Sequence, residues 1–207
     1  MKLHVPAVAG ALLITAASAL AQPAPAPAAP PAPQIVRGTV TAVAPNGLKI
    51  TGRDGKPLSV ALSPDWSVQV TKPVTVEAIQ PGSFIGTAEM PQANGAGRSL
   101  EVHVFPPGVK MGEGHYGWDL KKGSMMTNGT VGKVTAGAHG RELDVSYATG
   151  TRHIVVPPNV PIVQITPGDR SMVKPGTRVF LVAIRTPAGT LATNGVAIGE
   201  AGKAPPM

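Results

Sequence analysis

The sequence predicts an all-β protein, two tandem small β-barrels of about six short strands each, preceded by an export signal and a Pro/Ala-rich spacer. Three observations predict it. Glycine (25) and proline (23) together make 48 of 207 residues, more punctuation than packed helices tolerate. The apolar content, 43%, is carried mainly by Val, Ala, Ile and Leu in short alternating runs closed by Gly, Pro, Asn and Asp, the pattern of half-buried strands. The order of those runs then recurs once along the chain.

The elements follow from the N-terminus. Met1-Lys2 leads into an apolar run from Val5 to Ala21 that closes Ala19-Leu20-Ala21 before Gln22, the small-x-small pattern read by signal peptidase. Residues 1–21 are expected to be a signal peptide cleaved after Ala21, and the protein is expected in the periplasm. The run is 17 residues long and carries Pro6, Gly10 and Ser18 with no basic stop-transfer flank, which argues against an uncleaved anchor. No later segment has the length of a transmembrane helix. Residues 22–34 hold six Pro, five Ala and two Gln, which bury no core and predict a polyproline-type spacer.

From 35 to 105 the reading gives a first barrel. Its strands are Val36–Val43, Leu48–Thr51, Leu58–Leu62, Val68–Thr71, Phe84–Met90 and Leu100–Phe105, with hairpin turns at Pro45-Asn46-Gly47 and Arg53-Asp54-Gly55. Residues 128–200 repeat the order. Gly38-Thr39-Val40 is matched by Gly129-Thr130-Val131, Leu48-Lys49-Ile50 by Leu143-Asp144-Val145, and Val68–Thr71 by Val163–Thr166. Pro81-Gly82-Ser83 is matched by Pro175-Gly176-Thr177, and Val102-x-Val104 by Val196-x-Ile198. The offsets are 91, 95, 95, 94 and 94, which predicts a tandem duplication. A helical turn is expected before each Pro-Gly, at Val74–Gln80 with Thr75 as cap and at Asp169–Lys174 with Asp169 or Ser171. Six short strands with one apolar face close most economically into a barrel, two sandwich halves sharing a core being the alternative. Asn128-Gly129 reads as the turn that opens the second barrel, and residues 201–207 as a tail.

The chemistry is fainter. With no Cys there is no disulfide, thiol nucleophile, thiolate site or acylated lipobox. Lys plus Arg is 18 against 11 acids, and without Lys2 the ratio is 17 to 11, a net charge of about +6 that favours anionic neighbours. The basic residues are scattered and few aromatics stand among them, which excludes a nucleic-acid surface. The expected partner is an envelope protein or an anionic envelope component.

The segment 106–127 is read as a structured connector. It concentrates Trp118, Tyr116, His115, Glu113, Asp119 and the methionines Met111, Met125 and Met126 in one stretch. Glu113, His115, Tyr116, Trp118 and Asp119 are the candidates for binding a ligand or partner. As metal donors, His103, Glu113, His115 and Asp119 would offer nitrogen and oxygen, and Met111, Met125 and Met126 thioether sulfur to a soft ion such as Cu(I). Neither set has a diagnostic spacing. No cofactor is assigned; a divalent metal or copper is the ion such donors would suit. The structural reading is that Tyr116, Trp118 and Leu120 plug the junction between barrels. Gly112-x-Gly114-x-x-Gly117 matches the dinucleotide fingerprint only formally, since it lacks the strand–turn–helix context that fingerprint needs. No hydrolase or metalloprotease motif is present, and no catalytic residue is assigned. His103 alternates with Val102 and Val104 and is read as facing solvent, His139 as lying in a Gly-rich turn and His153 as opening a strand.

The chain resembles, from about Val36 to Met207, a family of exported bacterial proteins built on a duplicated small β-barrel domain of unknown function, whose members are often labelled metal ABC transporter permease. The residues that carry the resemblance are Gly82–Gly86, Met90-Pro91-Gln92, Leu100–Pro106, Gly112–His115 with Trp118-Asp119-Leu120, Met126-Thr127-Asn128 and Val155–Asn159. Tyr116-Gly117 and Gly129 depart from its pattern. A permease needs several long apolar helices or a much larger barrel, and the sequence has neither. The resemblance therefore implies an envelope protein that attends transport or handles metal. Taken together, the sequence predicts a periplasmic, non-enzymatic binding or assembly module of the cell envelope. The alternatives are a metal-binding accessory of an envelope transport system and, third, an unrecognised hydrolase.

Overall fold

The computed structural model describes residues 32–207. The expected signal peptide and most of the expected spacer lie outside the described residues. The described chain is all-β, with twelve strands: β1 (Gln34–Ala44), β2 (Gly47–Gly52), β3 (Pro57–Pro73), β4 (Phe84–Pro91), β5 (Gly97–Val104), β6 (Gly114–Gly117), β7 (Met125–Gly137), β8 (Gly140–Tyr147), β9 (Gly150–Val156), β10 (Ile162–Gly168), β11 (Arg178–Arg185) and β12 (Leu191–Gly199). Among the described residues no helix is long and apolar enough to cross a membrane.

The strands expected in the first half are present, with one merger. Leu58–Leu62 and Val68–Thr71 belong to a single 17-residue strand, β3, which runs through Ser63-Pro64-Asp65. The neighbouring β12 slips there, pairing Thr193 with Leu62 and then Gly195 with Ser67, so Pro64 sits in a bulge where its missing N–H costs no ladder bond. Arg170 holds the bulge, donating from Nε to the Trp66 carbonyl at 2.8 Å and from Nη2 to that of Pro64 at 3.1 Å, with its guanidinium over the Trp66 ring. At the start of β1, Gln34 is already part of the strand rather than of a spacer.

Strand pairing closes two five-membered rings. In the first, β1 pairs β2, β2 pairs β3, β3 pairs β12, β12 pairs β11 and β11 returns to β1. Its core includes Val36, Val40, Ile50, Val60, Leu181 and Val196. In the second, β4 pairs β5, β5 pairs β9, β9 pairs β8, β8 pairs β7 and β7 returns to β4. Ile85, Val102, Val131, Leu143 and Ile154 fill it. The β5–β9 contact is short, and β10 takes over along β5 from Val102 to Val104.

Each ring thus draws three strands from one half of the chain and two from the other. This corrects the expectation of two barrels of about six strands built in turn from residues 35–105 and 128–200. The cause is the length of β3. At about 3.3 Å per residue its 17 residues reach roughly 55 Å, pairing β2 near the start and β12 as far as Thr71. Its last part, Val68–Pro73, pairs β10 between the rings and delivers the chain to the second ring, so the open edge between β1 and β3 is closed by β11 and β12 instead.

The recurring sequence motifs sit where this closure needs them. A Cβ on Gly38 would overlap the Thr51 carbonyl, and one on Gly129 that of Ser146, so both glycines permit a close strand approach. The Gly176 N–H donates to Val40 and the Gly82 N–H to Val131, at 2.8 and 2.7 Å, tying each Pro-Gly turn to the β-strand of the other half. The expected helical turns are short 3₁₀ turns, Val76–Ala78 and Arg170–Met172. They insert Ile79 into the second core and Val173 into the first. Asp169 caps its turn by accepting from the Ser171 N–H at 2.8 Å, whereas the Thr75 side chain makes no such bond.

Two further expectations change. Asn128-Gly129 is mid-strand in β7 rather than a turn. Asn128 is paired on both sides, to β4 and to β6, and Gly129 to β4, a context that local turn chemistry does not reveal. The connector is partly sheet, since β6 pairs β7 from Met125 to Asn128. Residues 201–207 are not a free tail, because Met207 packs on Phe180 and Ala197 and its main-chain oxygen accepts from Arg37 Nε at 2.7 Å.

Candidate functional site

On β5 the core residues Val102 and Val104 alternate with Glu101 and His103, and Phe105 continues that alternation just beyond the strand. The second set faces away from the core of the second ring. Gly86 on β4 is the register partner of His103 on one side and of Asn128 on the other. Both neighbours fold over the glycine: a Cβ on Gly86 would overlap His103 Nε2 and Asn128 Oδ1. Three adjacent strands therefore bring an imidazole nitrogen and an amide oxygen to one point.

Their orientations are fixed from behind. Glu101, 1% exposed, accepts from the Ala88 N–H through Oε1 at 2.9 Å and meets His103 Nδ1 through Oε2 at 3.1 Å. The carboxylate holds the proton on Nδ1 and leaves the lone pair on Nε2, the arrangement that also prepares histidine as a ligand or base. Asn128 Nδ2 donates to the Gly112 carbonyl and to the Tyr116 hydroxyl, both at 2.8 Å, and Tyr116 donates onward to Gly112 at 3.1 Å. With both amide protons used, Asn128 Oδ1 is buried and has no donor. Burial also pushes the Tyr116 phenol above its ordinary range, opposed by the Asn128 bond.

These groups form the polar end of a cavity of about 450 Å³. Phe105, Met111, Tyr116, Trp118 and Met126 line it from the second ring and connector, and Ile35, Phe180 and Ala197 from the first ring. Trp118 packs against Phe180 with ring centroids 6.2 Å apart, and its indole N–H is buried without an acceptor. Arg37 lies over Trp118 and Phe180, 5.9 and 5.3 Å from the ring centroids, and pairs with Asp119 at 2.7 Å. One aromatic stack and one ion pair thus fasten the connector to the first ring.

A second polar cluster lies at the β4–β9 side. Glu89, fully buried, pairs through Oε1 with Arg152 Nε at 2.7 Å, and Arg152 also donates to the carbonyls of Gly95 and Ala96. Glu89 Oε2 is buried without a donor. His115 Nδ1 stands 3.8 Å from Glu89 Oε1, shares a 2.8 Å hydrogen bond with Thr127, and its ring stacks on Tyr147. Burial pushes the Glu89 carboxyl above its ordinary value, with Arg152 opposing, while burial and the Arg152 charge hold His115 below its own.

The candidates named from sequence therefore separate. His103, Met111, Tyr116, Trp118 and Met126 meet at the cavity, and His103 is 4% exposed rather than solvent-facing because the first ring and connector cover its strand face. Asp119 is engaged by Arg37, His115 joins Glu89, Met125 stands opposite Glu89 in the strand register, and Glu113 is exposed. The nitrogen and oxygen donors read as a metal set are thus dispersed, and among the described residues no three His, Asp or Glu side chains converge as a metal site does. Sequence reasoning missed Gly86, Glu89, Glu101, Asn128 and Arg152. Glu101 was within reach, because it shares the period-two face of His103.

No family model, curated protein or solved structure matches the chain.

Proposed function

We propose that the protein is an exported, non-enzymatic binding module of the cell envelope that takes a small, largely apolar ligand between its two rings. One observation carries this reading: the cavity of about 450 Å³ is walled by aromatic and thioether side chains and ends in a fixed polar pair, the form of a small-molecule site. The connector supplies one wall, which accounts for its concentration of Tyr, Trp and Met. The two halves are copies of one unit whose last two strands are exchanged. The pairing of Thr71 with Ile165 and of Val70 with Thr166 supports this, since the matched segments Val68–Thr71 and Val163–Thr166 meet each other symmetrically.

Fluorescence tests the cavity. In Trp66→Phe, Trp118 is the remaining tryptophan, and a neutral apolar probe such as N-phenyl-1-naphthylamine is expected to quench it saturably at one equivalent. Absence of saturable quenching overturns the reading. For export, the chain recovered from a periplasmic fraction is expected to begin at Gln22 by intact mass.

A second reading, a metal-handling accessory, is favoured by the shared position of His103, Met111 and Met126 on the cavity wall. Native mass spectrometry with Zn²⁺, Cu²⁺ and Cu(I) decides it, a stoichiometric adduct lost in His103→Ala being the supporting result.

A further inference from the structure

We propose that the polar end of the cavity is a receptor for an ammonium group, so that the ligand is a protonated amine with an apolar body. The inference rests on the cavity reading above and names the chemical class of its ligand.

Two acceptors converge over Gly86 without a donor. Asn128 Oδ1 is buried and unpartnered, and turning its amide round would lose the bond to Gly112 and set one carbonyl oxygen against another. His103 Nε2 borders the cavity, with Nδ1 committed to Glu101. A buried polar atom left unpaired is costly, so a group that donates to both atoms gains more here than in water. A hydroxyl offers one proton and serves one acceptor. An ammonium offers three and serves both.

Charge points the same way. Glu101 is 1% exposed, and among the described residues no Lys or Arg pairs with it, its side-chain neighbour being His103 Nδ1 at 3.1 Å. With Nδ1 of His103 directed at Glu101, a ligand cation at Nε2 offsets the carboxylate through the ring, and the aromatic walls add attraction for a cation at their faces. A carboxylate ligand would meet two lone pairs at this end, although Trp118 offers it a free N–H elsewhere. One nitrogen and one amide oxygen are too few for a divalent metal, which takes four or more ligands.

Isothermal titration calorimetry on the protein with n-octylammonium, n-octanol and n-octanoate tests this. The expected result is one equivalent of octylammonium bound at least tenfold more tightly than either other chain. His103→Phe, and separately Gly86→Ala, which sets a methyl between the acceptors, are each expected to cost octylammonium at least tenfold and to change octanol less than threefold. Circular dichroism checks that each variant is folded, and if one is not, the three-ligand comparison on the unaltered protein decides. Octanoate or octanol binding as tightly as the amine overturns the inference and leaves the cavity reading standing. So does quenching of Trp118 by the apolar probe with no binding of octylammonium. Failure of every ligand and of the probe overturns both. Displacement of octylammonium by one equivalent of Cu(I) or Zn²⁺ overturns the ammonium receptor in favour of a metal.

Discussion

The two rings place different chemistry at matching positions of the same framework. In the second ring Gly86 stands between His103 and Asn128; in the first, by the same strand pairings, Phe180 stands between Ala197 and Arg37. Glu89, paired with Met125, corresponds to Ala183, paired with Gln34, and both are fully buried. Thr87 and Thr127 correspond to Leu181 and Val36. At the central position one ring has a phenyl ring sealed by Arg37, Trp118 and Met207, while the other has no side chain and two polar groups leaning into the space. The first ring uses these positions for packing, and the second for polar contacts that packing does not require. The first ring fills three of these positions with Phe180, Ala197 and Leu181 and keeps one charge, Arg37, which it pairs with Asp119, whereas the second buries Glu, His and Asn there.

That contrast can be broken by experiment. Phe180→Ala removes the filled centre and exposes the Trp118 stack, and should cost about 3–5 kcal/mol, read by urea unfolding. A loss below about 1 kcal/mol would mean the first ring's face is not a packing element. Arg152→Ala leaves Glu89 buried without its cation and should cost about 3 kcal/mol at neutral pH. The sign follows from Glu89, whose value in the folded protein is raised above 4.5. Its contribution is fully present below 4.5 and is lost as pH rises through the raised value, and loss of Arg152 raises that value further. The penalty should therefore shrink below pH 4.5 and grow toward neutrality. A penalty independent of pH would assign Arg152 to the Gly95 and Ala96 carbonyls instead.

Gly38→Ala and Gly129→Ala sharpen the framework side of the comparison. Each forces a methyl against a carbonyl of the adjoining strand, and each should cost about 1–3 kcal/mol, the two being similar in thermal unfolding. A large difference between them would show that the rings are not equivalent even in backbone closure. Asp119→Asn is the smallest effect. Asp119 is 52% exposed at its side chain, and loss of its pair with Arg37 should cost about 0.2–1 kcal/mol, with Trp118 fluorescence unchanged.

What was legible in the sequence was local. Alternation and turn residues located the strands of the first half, and the offset motifs fell on glycines and Pro-Gly turns at which the two rings close. Ring membership was not legible, because β1 meets β11 through pairs such as Val36 with Leu181, for which neither segment carries a local signal. The merger of β3 was hidden by Pro64, which is ordinarily a break and here sits in a bulge. At the candidate site, Glu101 and His103 share a strand face two residues apart, a pattern that can be read in advance. Glu89 and Arg152 are 63 residues apart and meet only through the fold. Asn128 was masked by Gly129, since Asn-Gly in isolation has the composition of a turn.

Rings that each draw strands from both halves give the chain an unusual mechanical property. Neither half contains a closed ring: residues 34–73 need the segment 178–199 to complete theirs, and β4 with β5 need β7, β8 and β9. Closure of the first ring waits on contacts more than a hundred residues apart, such as Val36 with Leu181, so its folding should be slow for a chain of this size. Once formed, the halves embrace like the subunits of a swapped dimer joined by a peptide tether. A protease that cut the exposed Val109–Glu113 stretch would therefore sever the backbone without separating the pieces, and the cavity beside the cut would keep both of its walls.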